Sequence, residues 1–147
     1  NTMHIVFDQV AANVDVPMLS LLDAVGEAIR ERDMETVGLL GTSFTMEKPF
    51  YQRALAEKGI NVIVPNPDDR KLVNDVIYQE LVAGDIRDES RQTFVSIIRK
   101  LARRGAEGVI LGCTEIPLLV SEGEAGMPLF DTTVIHAEAA LRYAVGG

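Results

Sequence analysis

The residues with the most chemical capacity lie in one stretch, Gly108-Val109-Ile110-Leu111-Gly112-Cys113-Thr114-Glu115-Ile116-Pro117. A short apolar run closes on a glycine, and the chain's only cysteine follows at once. Thr114 and Glu115 then open a turn or short helix. This layout sets a thiol just past the C-terminal end of a buried strand, where open α/β sheets bind ligands. Helix-end dipoles and backbone N–H groups there favour a thiolate, which serves as base or nucleophile. The same residue would also serve as a small buried core side chain, as free cysteines commonly do. A single cysteine leaves no internal disulfide and suits a reducing, cytoplasmic compartment. It makes no metal-ligand spacing with the two histidines, His4 and His136.

The elements that must hold this turn alternate between strand-like and helix-like patterns. Leu21, Leu22, Val25, Ala28 and Ile29 recur at helical spacing after the short apolar run Val16 to Leu19. Thr36 to Gly41 reads as a strand buried on both faces. Thr42-Ser43 follows, then a helix carrying Phe50, Tyr51, Ala54 and Leu55 that stops at Gly59. Asn61 to Val64 is the next strand, and Asn66-Pro67 caps and starts another helix. Its stripe of Leu72, Val73, Val76, Ile77 and Leu81 predicts a helix halted by Gly84. Asp88 is expected to cap the helix that ends at Gly105. Pro128 to Phe130 is a last short strand, and Asp131 caps a final helix to about Ala144. The alternation predicts an α/β fold, a mostly parallel sheet with helices on both faces. Right-handed crossovers put the strand ends on one edge. Thr42, Ser43, Cys113, Thr114 and Asp131 can therefore meet in one crevice.

Bulk composition narrows the function. At 147 residues and 47% apolar content, the chain can bury a core of one domain. No run has the length of a membrane-spanning helix, and the start lacks a signal-peptide pattern. A net charge of −8 is a solvated surface that disfavours nucleic acid but leaves an anionic small substrate possible.

At GVILGCTEIPLL the sequence closely resembles the aspartate/glutamate racemase family. NTMH at 1–4, VGLLGTSFTM at 37–46, FY at 50–51, IYQEL at 77–81 and DTTVIHA at 131–137 continue the resemblance in family order. The resemblance implies one half of a two-domain α/β fold, with the active site in the cleft between similar halves. On that pattern, residues 1–15 are the end of an N-terminal half and 16–130 a racemase-like domain. Residues 131–147 are then a helix packing back on the N-terminal half. The implied activity interconverts D- and L-acidic amino acids without a cofactor. Removing the α-proton on one face and returning it on the other needs two alternating acid/base groups. The planar intermediate needs fixed donors around its carboxylate. A thiol suits the acid/base work once its pKa is brought near neutrality.

The resemblance assigns Cys113 as one acid/base. The other is expected immediately before Asn1, outside this sequence. Asn1 and Thr2 match residues that bind the substrate carboxylate, although both also suit a helix cap. Thr42 matches a substrate-binding threonine and is equally a cap candidate. Thr114 is placed to donate to the same carboxylate. Glu115 is expected to hold the turn or orient its neighbours, and His136 to pack, cap or support the site from behind. Family members selective for aspartate carry a lysine near Glu80-Leu81-Val82-Ala83-Gly84, a stretch that holds no basic residue here. That departure suits a broader or longer amino-acid substrate. The expected partners are a small-molecule amino acid and either a second copy or an N-terminal half, with no nucleic acid or membrane. The 147 residues alone are expected to be inactive. Two alternatives remain: a one-cysteine decarboxylase or isomerase on the same fold, and a noncatalytic fragment.

Overall fold

The computed structural model of the chain describes residues 1–146, which leaves the last residue of the expected 131–147 stretch outside the description. A 3-10 turn at Thr2–Val6 leads into α1 (Phe7–Ala11), α2 (Leu21–Arg30) and β1 (Thr36–Leu40). Then come α3 (Ser43–Glu47), α4 (Phe50–Ala56), β2 (Asn61–Ile63) and α5 (Pro67–Gln79). A second 3-10 turn at Leu81–Ala83 precedes α6 (Asp88–Arg103) and β3 (Gly108–Leu111). The chain finishes with α7 (Ile116–Leu119), α8 (Glu122–Ala125), β4 (Leu129–Asp131) and α9 (Thr132–Ala144).

The four strands lie in the order β2-β1-β3-β4 and pair in parallel throughout. Register is what matters for function. Leu40 pairs with Leu111, and Leu111 with Asp131. Three strands therefore end level, and Gly41, Gly112 and Thr132 follow side by side on one edge. Side chains alternate across the sheet at the strand period of two. Leu39 and Ile110 face a core made with Leu22, Val25 and Ile29 of α2 and Leu55 of α4. Leu40, Val109 and Leu111 face the other core, with Phe94, Ile97, Ile98 and Leu101 of α6. The central strands are buried on both faces, which is why they read as unbroken apolar runs.

Three expectations need adjustment. The helix beginning at Pro67 ends at Gln79, and a 3-10 turn takes over as far as Gly84. The tighter winding still delivers Leu81 to the core, so the apolar stripe continues where the α-helix does not. Gly84 then closes the turn with a φ of +75°, a left-handed conformation that suits glycine. Arg87, not Asp88, holds the N-cap of α6; Asp88 sits in the first turn, where its charge suits the helix dipole, and binds Arg91. The segment after Gly41 contains a separate short helix, α3, before Pro49 leads into α4.

Candidate active site

Cys113 occupies the turn that joins β3 to α7, as its place after a buried strand implied. Close packing fixes the turn. The Gly112 N–H donates to the Leu40 carbonyl at 2.7 Å. A Cβ on Gly112 would lie 3.0 Å from that same oxygen and 3.1 Å from Leu39 Cδ1, so only glycine fits without displacement.

The thiol is half-buried and donates to Glu115 Oε2 at 2.9 Å. Burial pushes its pKa up from 9.0 to about 11, and the bond to Glu115 and that residue's negative charge push the same way. Backbone N–H groups of Glu115 and Thr114 favour the thiolate, as the strand-end position predicts, but they are outweighed. The expected thiolate character is therefore corrected: the resting cysteine is a protonated acid. Glu115 is held below the usual carboxylate range, chiefly by the bond from the thiol and with help from the Thr114 hydroxyl. Of the two parts expected of Glu115, holding the turn or orienting its neighbours, this contact fits the second.

Beside this turn lies a cleft of about 360 Å³ whose wall includes Asn1, Thr114, Thr132 and His136. Three candidates read from distant parts of the sequence are thus brought together. Cys113 adjoins them through its chain neighbour Thr114. Thr2 and Thr42 are not on that wall. Thr2 is exposed in the first 3-10 turn. Thr42, one residue beyond Gly41 on the sheet edge, performs the cap reading: its hydroxyl accepts from the Thr45 N–H at 3.4 Å and meets the Thr45 hydroxyl at 3.2 Å. Asp131 caps α9 through the Thr133 and Val134 N–H groups at 2.9 and 3.3 Å.

Asn1 does not use its side chain as a cap. Its Nδ2 donates to Thr132 Oγ1 at 3.1 Å, and its Oδ1 accepts from the Tyr51 hydroxyl. Thr132 in turn donates to the Leu111 carbonyl at 2.9 Å. By sequence pattern Tyr51 is an apolar helix residue and Thr132 one threonine of the DTTVIHA motif. Both left a signal: a tyrosine in a core needs a partner for its hydroxyl, and Thr132 follows a strand end as Thr42 and Cys113 do. His136 lines the same cleft. Its Nε2 meets the Leu19 carbonyl at 3.1 Å, and its ring stands edge-on to His4 with centroids 6.0 Å apart. Among the described residues, no group of His, Cys, Asp and Glu could hold a metal ion. None of the helices there is long and apolar enough to cross a membrane.

Residues 1–140 match the Asp/Glu/Hydantoin racemase family. The chain belongs to this family. A Yersinia pestis crystal structure, provisionally named an Asp/Glu racemase, superposes with a TM-score of 0.94 at 47% identity, over 99% of this chain and 64% of that one. An aspartate racemase homologue from Pyrococcus horikoshii superposes at 0.91 with 41% identity, over 99% of this chain and 64% of that one. A glutamate racemase from Hydrogenobaculum is 26% identical over 115 residues, 78% of this chain and 42% of that protein. The chain thus spans less than two thirds of each of these three relatives. The family expected from GCTEIPLL and its companion motifs is the family found, and the parallel α/β fold matches that of its solved members.

Proposed function

We propose that the protein belongs to a cofactor-independent racemase acting on acidic amino acids, with Cys113 as one of two acid/base groups. The observation that carries this reading is the thiol bonded to Glu115, next in the chain to Thr114, which lines a cleft with Asn1 and Thr132. A thiol near 11 suits protonation of a carbanion, since it delivers its proton readily and cannot leak it at neutral pH. In the reverse direction it must become a base. A bound substrate brings an ammonium group, and that positive charge favours the thiolate. Glu115 holds the S–H on one axis between turnovers. On this reading Asn1 supplies an amide donor for the substrate carboxylate and the Thr114 hydroxyl turns to it from Glu115, while Thr2 and Thr42, which lie off the cleft wall, are carried as donors by the family resemblance alone. The second acid/base approaches the opposite face from the position ahead of Asn1 in the family motif. The operating unit on this reading is a cytoplasmic homodimer, or this half joined to an N-terminal one.

The test follows α-proton exchange of D- and L-aspartate and D- and L-glutamate in deuterated water by NMR, using full-length protein. Cys113→Ala is expected to lower exchange from both enantiomers by at least about 10²–10⁴-fold, the usual contribution of a positioned acid/base. Undiminished exchange sinks the assignment. A second reading is favoured by the raised thiol pKa: a neutral cysteine also serves one-sided protonation, as in a decarboxylase or isomerase. It predicts product of one configuration only, without exchange from either enantiomer.

A further inference from the structure

We propose that Tyr51 and Thr132 are positioning residues that lock the Asn1 carboxamide in one orientation, with its NH2 on the cleft side. This rests on the carboxylate-binding role proposed for Asn1. A hydroxyl has a single proton. The Thr132 proton is committed to the Leu111 carbonyl, which can only accept. Whatever Asn1 atom meets Thr132 Oγ1 must therefore donate, and that atom is Nδ2. A flipped amide would set two oxygens face to face with no proton between them. At the other end, Tyr51 is 0% exposed and its hydroxyl donates to Oδ1. Burial raises the Tyr51 pKa, so the donor persists across the working pH range.

The lock has a chemical purpose. An unrestrained carboxamide presents oxygen as readily as nitrogen, and oxygen repels a carboxylate. One Nδ2 hydrogen goes to Thr132, which lines the cleft; the other is left for a bound carboxylate. Thr132 also ties this donor to Leu111, two residues from Cys113. The site's donor and its thiol therefore share one anchor.

The experiment uses full-length wild type, Tyr51→Phe, Thr132→Val and Thr132→Ser. Racemisation of L-aspartate and L-glutamate is followed at steady state. Loss of one oriented donor should raise KM about tenfold in Tyr51→Phe and Thr132→Val, with kcat less affected and Thr132→Ser restored. A merely structural role would lower the melting temperature and leave KM alone, and that result overturns the inference. A second arm needs no variant to fold: in wild type, the Asn1 side-chain NH2 should show a nuclear Overhauser contact to the Thr132 methyl. Its absence overturns the lock. If wild type exchanges no α-proton while that contact is present, the racemase reading fails and the lock stands.

Discussion

Cys113 stands on a turn hemmed in by the sheet, whereas Asn1, on the neighbouring wall, begins a segment with no buried residue of its own through α1. The cysteine turn is fixed by the backbone: level strand ends, the Gly112 to Leu40 bond, and a tight fit around Gly112. The first twenty residues are fixed by side chains. Asn1 reaches Thr132 and Tyr51, and His4 Nε2 accepts from the Leu21 N–H at 2.8 Å. Met3, 74% exposed, and Val16, 67% exposed, face outward nearby. A backbone-fixed wall tolerates no change at its glycines but keeps its shape when polar partners are lost. A side-chain-fixed wall does the reverse.

The largest effect expected from this contrast is at Gly112. Gly112→Ala forces a methyl against the Leu40 oxygen and the Leu39 side chain. Overpacking of this kind costs about 1–3 kcal/mol, and it also displaces the adjacent thiol. Denaturant unfolding should show the loss of stability, and α-proton exchange should fall well beyond what that loss explains. If the variant is as stable and as active as wild type, the turn is not held by close packing.

The same contrast accounts for what could be read from the sequence. Strand ends, most caps and the Cys113 turn are local: apolar runs, glycines and Asn66-Pro67 or Asp131 mark them within a few residues, and apart from the cap at Asp88 they appear within a residue of where expected. The handover from α5 to a 3-10 turn was hidden because Leu81 keeps the helical apolar period while the backbone changes pitch. The Asn1–Thr132–Tyr51 contacts join residues 131 and 50 positions apart, and nothing in residue spacing marks such pairs. The sign of the Cys113 shift was also out of reach. Sequence shows the N–H groups that favour a thiolate, but not the burial and the Glu115 approach that outweigh them.

An intermediate effect is expected at Glu115. Glu115→Gln removes the negative charge beside the sulfur while keeping a side chain of similar size. Two of the influences holding the thiol near 11 disappear, and burial remains. The pKa should therefore fall from about 11 toward, but not below, the ordinary 9.0. Iodoacetamide alkylation against pH reads this directly: the half-maximal rate moves to lower pH and the variant reacts faster at pH 8. The backbone-fixed wall should not move, so the melting temperature stays close to wild type. An unshifted alkylation profile would mean that Glu115 does not touch the thiol in solution, and its part in proton delivery falls with it.

The smallest effect belongs to the side-chain-fixed segment and turns on His4. Its Nε2 accepts a hydrogen bond from Leu21, so the bond exists only while the ring is neutral. Nδ1 is buried without a partner. Burial holds the His4 pKa below 6.5; the neighbouring His136 adds to that, and the Asn1 backbone and Asp23 oppose it. The unfolded ring, near 6.5, binds a proton more readily than the folded one. The folded state's advantage from a neutral His4 is therefore complete above 6.5 and is lost as pH falls below it. Protonation puts hydrogen on Nε2 and breaks the bond to Leu21, releasing the first twenty residues locally rather than the whole fold. The amide protection factor of Leu21 should drop between pH 7 and pH 5, while that of Gly112, donating to Leu40 inside the sheet, holds. His4→Phe should remove the pH dependence and leave Leu21 less protected throughout, by about tenfold for one lost hydrogen bond. Equal pH sensitivity at Leu21 and Gly112 would show that the two walls open together, and the distinction between backbone-fixed and side-chain-fixed regions would not hold.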